Sequence, residues 1–321
     1  MRLIDADWPL FGWTNDIRPA LRAATDRNAH LVLGTLIRVA GSSPRPVGTQ
    51  MVFEGDSASG YFSGGCVEAD IANHAKMVMQ DGKPERLLYG DGSPWIDIRL
   101  LCGGALEVLL ERISSDEGAV ASLLALSAKR KAVRWQSNGL ERTVAESCQR
   151  PAFQLTGEIY SLSYYPPWRL VIAGGDPIAL AIAALGAMSG FETLLIRPNG
   201  PDHPPPIANV QYDRNSADEA IKDIKPDHWT AVIAANHDDE LDDQILSATL
   251  QHDPAYLGVL GAQSRVAGRN HRLARAGYDA EKLRSIRSPI GLARTGKAPW
   301  EVAVSVIAEI MQTRNQQTDR I

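Results

Sequence analysis

The segment from Arg169 to Ile196 constrains the fold more than any other part of the chain. A five-residue apolar run, Arg169-Leu170-Val171-Ile172-Ala173, meets the turn Gly174-Gly175-Asp176-Pro177. Helical periodicity follows over residues 178–189, and a second apolar run covers 192–196. Strand, glycine turn, helix and strand in about 30 residues make a βαβ unit of Rossmann type, which commits this half to a parallel sheet with helices on its faces. The alternation continues, with strands expected near 231–235 and 256–260 and helices near 240–250, 264–276 and 299–314, the tail from Asn315 to Ile321 fraying.

The first half reads differently. A helix ends near Arg27, an apolar branched strand covers 30–39, and Gly41-Ser42-Ser43-Pro44-Arg45-Pro46 is a loop by composition. A second strand over 49–54 turns at Gly55-Asp56, and a short extended piece over 59–63 leads into Gly64-Gly65-Cys66. Val67, Ile71, Ala75 and Val78 then fall at helical spacing, so Cys66 is expected at or just before a helix N-terminus. Strands near 86–89 and 105–111, a helix over 116–131 and two short strands complete this half. Tyr164-Tyr165-Pro166-Pro167 is the expected linker, with Tyr164, Tyr165 and Trp168 as interface aromatics. The fold class is therefore α/β: an N-terminal mixed α/β domain over 1–160, followed by a Rossmann-like doubly wound parallel-sheet domain over 168–321.

Three cysteines in 321 residues, Cys66, Cys102 and Cys148, do not make a disulfide framework, and the spacing fits no zinc site. From spacing alone, two buried inert thiols at Cys66 and Cys102 are the reading their residue type favours. Both nevertheless sit among glycines at loop-to-element junctions, in Ser63-Gly64-Gly65-Cys66-Val67-Glu68 and Cys102-Gly103-Gly104. A helix N-terminus would lower the pKa of the Cys66 thiol and attract anions. Glu68, in the same first turn, suits that dipole as a capping charge as well as it suits catalysis. His237 beside Asp238 and Asp242 reads as a solvated turn rather than a metal site, and no metal set is assigned.

With 33 Lys plus Arg against 38 Asp plus Glu, the net charge of -5 gives no electropositive footprint for nucleic acid. The acidic N-terminus and the lack of a spanning apolar run argue against a signal or a membrane partner, so a cytoplasmic protein is expected.

Gly41-Ser42-Ser43-Pro44-Arg45, Ser63 to Glu68 and Cys102-Gly103-Gly104 together resemble, in order and spacing, the N-terminal domain of the XdhC/CoxI family of xanthine dehydrogenase accessory factors. Tyr256-Leu257-Gly258-Val259-Leu260-Gly261, Pro289-Ile290-Gly291-Leu292, and Pro299 through Glu309 resemble that family's Rossmann domain. The resemblance implies a chaperone that binds the molybdenum cofactor as cargo, assists its sulfuration with a cysteine desulfurase and inserts it into a molybdenum hydroxylase apoenzyme. It implies no turnover beyond sulfur transfer. On that reading Cys66 and Cys102 carry the chemistry, while Ser42, Ser43, Arg45, Ser63, Gly64, Gly65, Glu68, Gly103 and Gly104 complete the cofactor site. Soft thiolates suit a metal-sulfur centre, and the hydroxyls, glycine amides and Arg45 suit an anionic pterin phosphate. A homodimer is expected as the commonest symmetric assembly.

The Rossmann half departs from its pattern. The family turn resembles Gly-Ala-Gly-His-Val-Ala, and Asp176 stands here where a glycine would admit pyrophosphate. Asp followed by Pro instead suits a self-capped helix. The acid expected to hold a ribose is Arg197. NAD(P) is thus a doubtful ligand, which weakens the alternative of an NAD(P)-dependent oxidoreductase. A second alternative is a non-catalytic structural or regulatory subunit with inert thiols.

Overall fold

The computed structural model describes residues 14–65, 67–91, 93, 103–147, 151–236, 238–293 and 295–320. The chain divides into two compact units, 1–166 and 167–321.

The first unit begins with α1 (Arg18–Asp26), which has Pro19 in its first turn. The strands β1 (Leu31–Ala40), β2 (Gln50–Glu54), β3 (Ser57–Ser59), β4 (Glu85–Gly90) and β5 (Ala105–Ile113) form an antiparallel sheet in the order β3-β2-β1-β5-β4. The third strand lies at 57–59, upstream of the expected 59–63, because Gly60 adopts a φ of 96° and ends the pairing. Both faces of β1 are covered. Leu31, Leu33 and Ile37 pack with α1 and with α3 (Gly118–Ala128), while Val32 and Leu36 pack against α2 (Glu68–Asp81) through Ile71, Ala75 and Val78.

The two short strands expected after α3 are four: β6 (Val133–Ser137), β7 (Arg142–Glu146), β8 (Phe153–Thr156) and β9 (Ile159–Tyr164), paired antiparallel as β7-β6-β9-β8. The outer strands β7 and β8 have no buried residue, so the apolar alternation that marks a strand is weak in them. Tyr164, expected at a domain interface, is instead a core residue of the first unit, edge-on to Trp135 with ring centroids 6.5 Å apart.

A buried polar network ties the two sheets together. Glu111 of β5 is fully buried and accepts hydrogen bonds from Tyr160 Oη (2.5 Å), Ser137 Oγ (2.6 Å) and Arg142 Nε (2.7 Å). Tyr160 Oη also accepts from Trp135 Nε1 at 3.1 Å and from Thr35 Oγ1 at 3.3 Å. Thr35 Oγ1 in turn accepts from Gln50 Nε2 at 3.1 Å, and Gln50 accepts from Tyr164. Burial and the neighbouring Glu111 push the Tyr160 phenol well above its ordinary pKa, so it stays a donor.

The second unit is a parallel sheet in the order β12-β11-β10-β13-β14-β15, where β10 is Arg169–Gly174, β11 Glu192–Ile196, β12 Val210–Asp213, β13 Thr230–Ala235, β14 Tyr256–Val259 and β15 Ile286–Arg287. This is the 3-2-1-4-5-6 order of doubly wound dinucleotide folds, whose switch point falls between β10 and β13. The helices are α4 (Pro177–Met188), α5 (Ala217–Ile224), α6 (Asp239–Thr249), α7 (Val266–Arg275), α8 (Ala280–Ser285) and α9 (Pro299–Arg320), the last continuing through the expected frayed tail as far as Arg320. Buried Gly186 lets α4 lie against the sheet, since a side chain there would overlap Leu170. The motifs at 289–292 and 299–309 interlock: Glu309 accepts hydrogen bonds from Tyr256 Oη (2.8 Å) and Gly291 N (2.5 Å), and a side chain on Gly291 would overlap Ser305. Among the described residues, no helix is long and apolar enough to cross a membrane.

Replacing Glu111 with Ala leaves the Arg142 guanidinium, itself only 5% exposed, with Glu117 alone as counter-charge, and strips the buried Tyr160 and Ser137 hydroxyls of their acceptor. Chemical denaturation of Glu111→Ala is expected to show the first unit destabilised by about 3–5 kcal/mol, whereas Lys76→Ala, which removes an exposed ion pair with Asp56, changes it by less than about 1 kcal/mol.

Candidate functional site

Three glycine-bearing loops meet at one end of the first sheet. Ala40 at the end of β1 pairs with Ala105 at the start of β5, and Ala105 also pairs with Gly90 at the end of β4. This register brings Gly41 and Ser42 onto Gly103 and Gly104. The approach is backbone to backbone: a Cβ on Gly41 would lie 3.3 Å from Gly104 Cα, and one on Gly104 would overlap the Ser42 carbonyl. A Cβ on Gly90 would overlap the Gly104 carbonyl in turn. Glycine is required here by close packing, whatever else the loops do.

The loop after β1 also reaches the third motif. Ser43 Oγ donates to Arg45 O at 2.8 Å and accepts from Arg45 N at 3.3 Å, a tight serine turn that aims the Arg45 side chain. The Arg45 guanidinium lies over the Tyr61 ring, 4.9 Å from its centroid, and its Nε is buried without a hydrogen-bond partner. Ser42 is exposed on the same loop. Two residues beyond Tyr61 the chain enters Ser63-Gly64-Gly65, where Gly64 and Gly65 have φ of 90° and 120° and nothing within 4 Å of an added Cβ. Those conformations, rather than crowding, call for glycine at these two positions.

The positive φ values turn successive amides inward to form an anion nest at the start of α2. The protein fills it itself. Glu68 Oε1 accepts from the backbone N–H of Phe62 (2.9 Å), Ser63 (2.7 Å) and Gly64 (3.1 Å). Glu68 Oε2 accepts from Gly65 N (2.8 Å), Val67 N (3.2 Å) and Ser63 Oγ (2.7 Å). The residue is 2% exposed. Burial raises its pKa, but the hydrogen bonds from Ser63, Phe62 and the rest more than reverse this and hold the carboxyl below its ordinary value. The Gly64 and Gly65 amides that the sequence offers to an external anion are thus turned onto Glu68. Beneath the nest, Asp70 accepts from Tyr89 Oη at 2.7 Å, and His74 Nδ1 lies 2.9 Å from Glu85 Oε1. No motif or spacing in the sequence singles out these partners, of which Tyr89 and His74 are buried while Asp70 and Glu85 are partly exposed.

Cys66 and Cys102 lie outside the described residues, as do Cys148 and His237. Their neighbours Gly65, Val67 and Gly103 are described, so the chain on either side of Cys66 and after Cys102 is fixed by the contacts above. Ser42, Ser43, Arg45, Ser63, Gly64, Gly65, Glu68, Gly103 and Gly104 are brought into this one loop cluster.

In the second unit the turn after β10 is closed by its own residues. Asp176 is the N-cap of α4, its Oδ1 accepting from Ala179 N at 2.7 Å with Pro177 following at the first helical position. The Arg197 side chain lies across Gly175, with its Cζ 2.8 Å from where a Cβ would begin. The expected self-capping is therefore observed. After β13, Asp238 caps α6 by accepting from Glu240 N (2.8 Å) and Leu241 N (3.2 Å), while buried Asp242 accepts from Asn236 N and Nδ2. Among the described residues, no group of His, Cys, Asp and Glu could hold a metal ion.

The first unit is an α/β domain built on antiparallel sheets with clustered glycine loops, and the second is a Rossmann-like parallel-sheet domain whose first glycine turn is capped by its own Asp176. Residues 24–90 match the XdhC and CoxI family and residues 170–310 the XdhC Rossmann domain, and the chain belongs to that family. It is 31% identical to the molybdenum cofactor insertion chaperone PaoD of Escherichia coli (strain K12), over 95% of this chain and 91% of that protein. Similarity to a probable xanthine dehydrogenase subunit of Bacillus subtilis (strain 168) is 25% identity, over 92% of this chain and 97% of the other. The fold matches a crystal structure of a xanthine dehydrogenase from Bacillus halodurans with a TM-score of 0.75 at 22% identity, covering 93% of this chain and 96% of that one.

Because the folded Glu68 carboxyl titrates below its unfolded value, its contribution is complete above the unfolded pKa, about 4.3, and is lost as pH falls through the depressed folded value. Glu68→Gln is expected to cost about 1.5–3 kcal/mol at neutral pH. It is also expected to flatten the acid limb of stability below about pH 4.3, both read by urea denaturation at a series of pH values.

Proposed function

We propose that this chain binds the molybdenum cofactor as cargo, through the loop cluster of its first unit, and passes it to a molybdenum hydroxylase of the xanthine dehydrogenase type. The observation that carries the reading is the convergence of the three loops: residues 41–46 rest on Gly103-Gly104 at one end and place Arg45 over Tyr61 at the other. Motifs far apart in sequence collapse into one exposed rim. Likeness over nearly the full length to a protein named as a molybdenum cofactor insertion chaperone supports the same conclusion.

The chemistry of the rim suits this cargo. With the nest amides committed to Glu68, the anionic phosphate of the pterin is left to Arg45, whose buried Nε has no partner, and to the exposed Ser42 hydroxyl. The carboxylate that fills the nest also holds the described chain on either side of position 66, at Ser63 to Gly65 and at Val67. Cys66 and Cys102 would supply soft ligands to the metal centre. The reading carries with it a cysteine desulfurase as the partner in sulfuration and a homodimer as the assembly, tested by co-purification and by light scattering.

The alternative of an NAD(P)-dependent oxidoreductase is disfavoured on geometry. Pyrophosphate at the β10 turn would have to displace the Asp176 cap and stand beside its charge, and Arg197 already covers Gly175. The proposal is that this turn takes no dinucleotide.

Protein purified anaerobically from a cofactor-producing host is expected to carry near-stoichiometric molybdenum and pterin. Arg45→Met, Cys66→Ala and Cys102→Ala should each lower that content while leaving the circular dichroism spectrum unchanged. Full retention in all three variants would remove the site from the loop cluster. Calorimetry with NAD and NADP is expected to show no binding in the micromolar range.

A further inference from the structure

The parallel sheet keeps one place at its carboxyl end where a buried arginine has a donor without an acceptor. Arg269 of α7 is 5% exposed, and its Nε makes no hydrogen bond. Among the described residues, its guanidinium makes no ion pair within 4 Å, unlike those of Arg265 and Arg272. It lines a small cavity with Asp242, Val259, Leu260 and Gly261, beyond the end of β14. Asp242 and Asp243 lie near enough for their charges to favour the Arg269 cation, but neither accepts from its Nε, and a buried N–H without an acceptor costs free energy and calls for a partner.

The surroundings specify the kind of partner. Arg265 and Arg272, on the same side of the helix as Arg269, complete a three-arginine face at the mouth of that cavity. The Arg265 guanidinium hangs over Gly261, with Nη1 3.8 Å from where a side chain would begin. Asp239, half exposed at the start of α6, bridges this face, paired with Arg265 and lying 3.3 Å from Arg272 Nη1. Arg272 is further held by Asp243. The cavity, at about 10 Å³, has room for one water-sized atom. One oxygen of a tetrahedral anion fits that space, with the rest of the anion at the mouth, where Asp239 now stands. The carboxyl ends of parallel strands are where such sheets bind ligands.

We propose that the arginine face of α7 is a binding site for a phosphate group, in which one oxygen reaches Arg269 and the others replace the Asp239 carboxylate on Arg265 and Arg272. Asp239 is then a built-in competitor that keeps the site closed to weak anions. The site lies beyond β13 and β14, apart from the self-capped β10 turn, so it takes a single phosphate rather than a pyrophosphate spanning the switch point. It does not rest on the cofactor-chaperone reading of the first unit.

The test is calorimetric titration of the full chain with inorganic phosphate and with AMP, in a buffer free of other oxyanions. The wild-type chain is expected to bind. Asp239→Asn should tighten binding about tenfold by removing the competing charge, and Arg269→Met should weaken it at least about tenfold by removing the buried charged donor. Arg269→Lys separates charge from fork geometry and is expected to recover only part of the affinity. AMP binding tighter than phosphate assigns a phosphate ester as the ligand, and equal affinities assign free phosphate. Absence of binding in both the wild-type chain and Asp239→Asn overturns the proposal even where Arg269→Met fails to fold, and so does a folded Arg269→Met that binds as the wild-type chain does.

Discussion

The buried carboxylate of Glu111 holds the first unit in register. It lies toward the end of β5, and its three partners come from β6, β7 and β9, so one charge fixes the four-stranded sheet against the five-stranded one. The same strand begins at Ala105, next to the glycines that receive the loop after β1. A shift of β5 by one residue would take Glu111 away from Arg142 and would also separate Gly104 from Ser42. Core polarity and site geometry are thus two ends of one strand, and the network specifies the register that a purely apolar contact between the sheets would leave looser.

A second theme runs through both units: carboxylates of the protein stand where an external anion would otherwise bind. Glu68 takes the nest at α2, Asp176 takes the Ala179 amide of α4, and Asp239 takes Arg265 and Arg272 at α7. The three differ in how firmly they are held. Glu68 is buried and accepts six hydrogen bonds, Asp176 has Pro177 preorganising its helix, and Asp239 is half exposed with two ion pairs. Displacing Glu68 would expose a buried carboxylate and orphan five amides at once, whereas displacing Asp239 returns an already solvated group to water. The first two are structural closures, and only the third is exchangeable.

What could be read from the sequence follows from the range of the interactions. The βαβ segment at 169–196 is local, with a clear change of period, and it folds as its pattern indicates. The Asp176-Pro177 cap is equally local and equally legible. The strand β12 and the helix α5 that follows it are not, because β12 is four residues long and only half buried. Glu111 and Arg142 are 31 positions apart, and charged residues on strands read as solvent-facing, so nothing in the spacing announces a buried pair. The glycines of the first unit read as openings for a ligand. Gly41, Gly90 and Gly104 are there because backbones touch, and Gly64 and Gly65 because φ is positive, distinctions that the letter Gly does not carry.

Arg45 and Arg269 are what remains once these internal closures are counted. Each is a guanidinium whose Nε is buried without a partner, one above Tyr61 among the glycine loops and the other beyond the end of β14. An arginine cannot escape the cost of burial by losing its proton at physiological pH, as a lysine or histidine can. Nearby carboxylates such as Asp242 and Asp243 offset the charge of Arg269, but its buried Nε, like that of Arg45, still calls for an acceptor. The self-capped β10 turn therefore need not mean that the second unit has lost every ligand of its fold. Closing the pyrophosphate position while leaving a buried arginine donor unmet at the far side of the switch point changes the ligand from one that bridges the sheet to one that occupies a single corner of it.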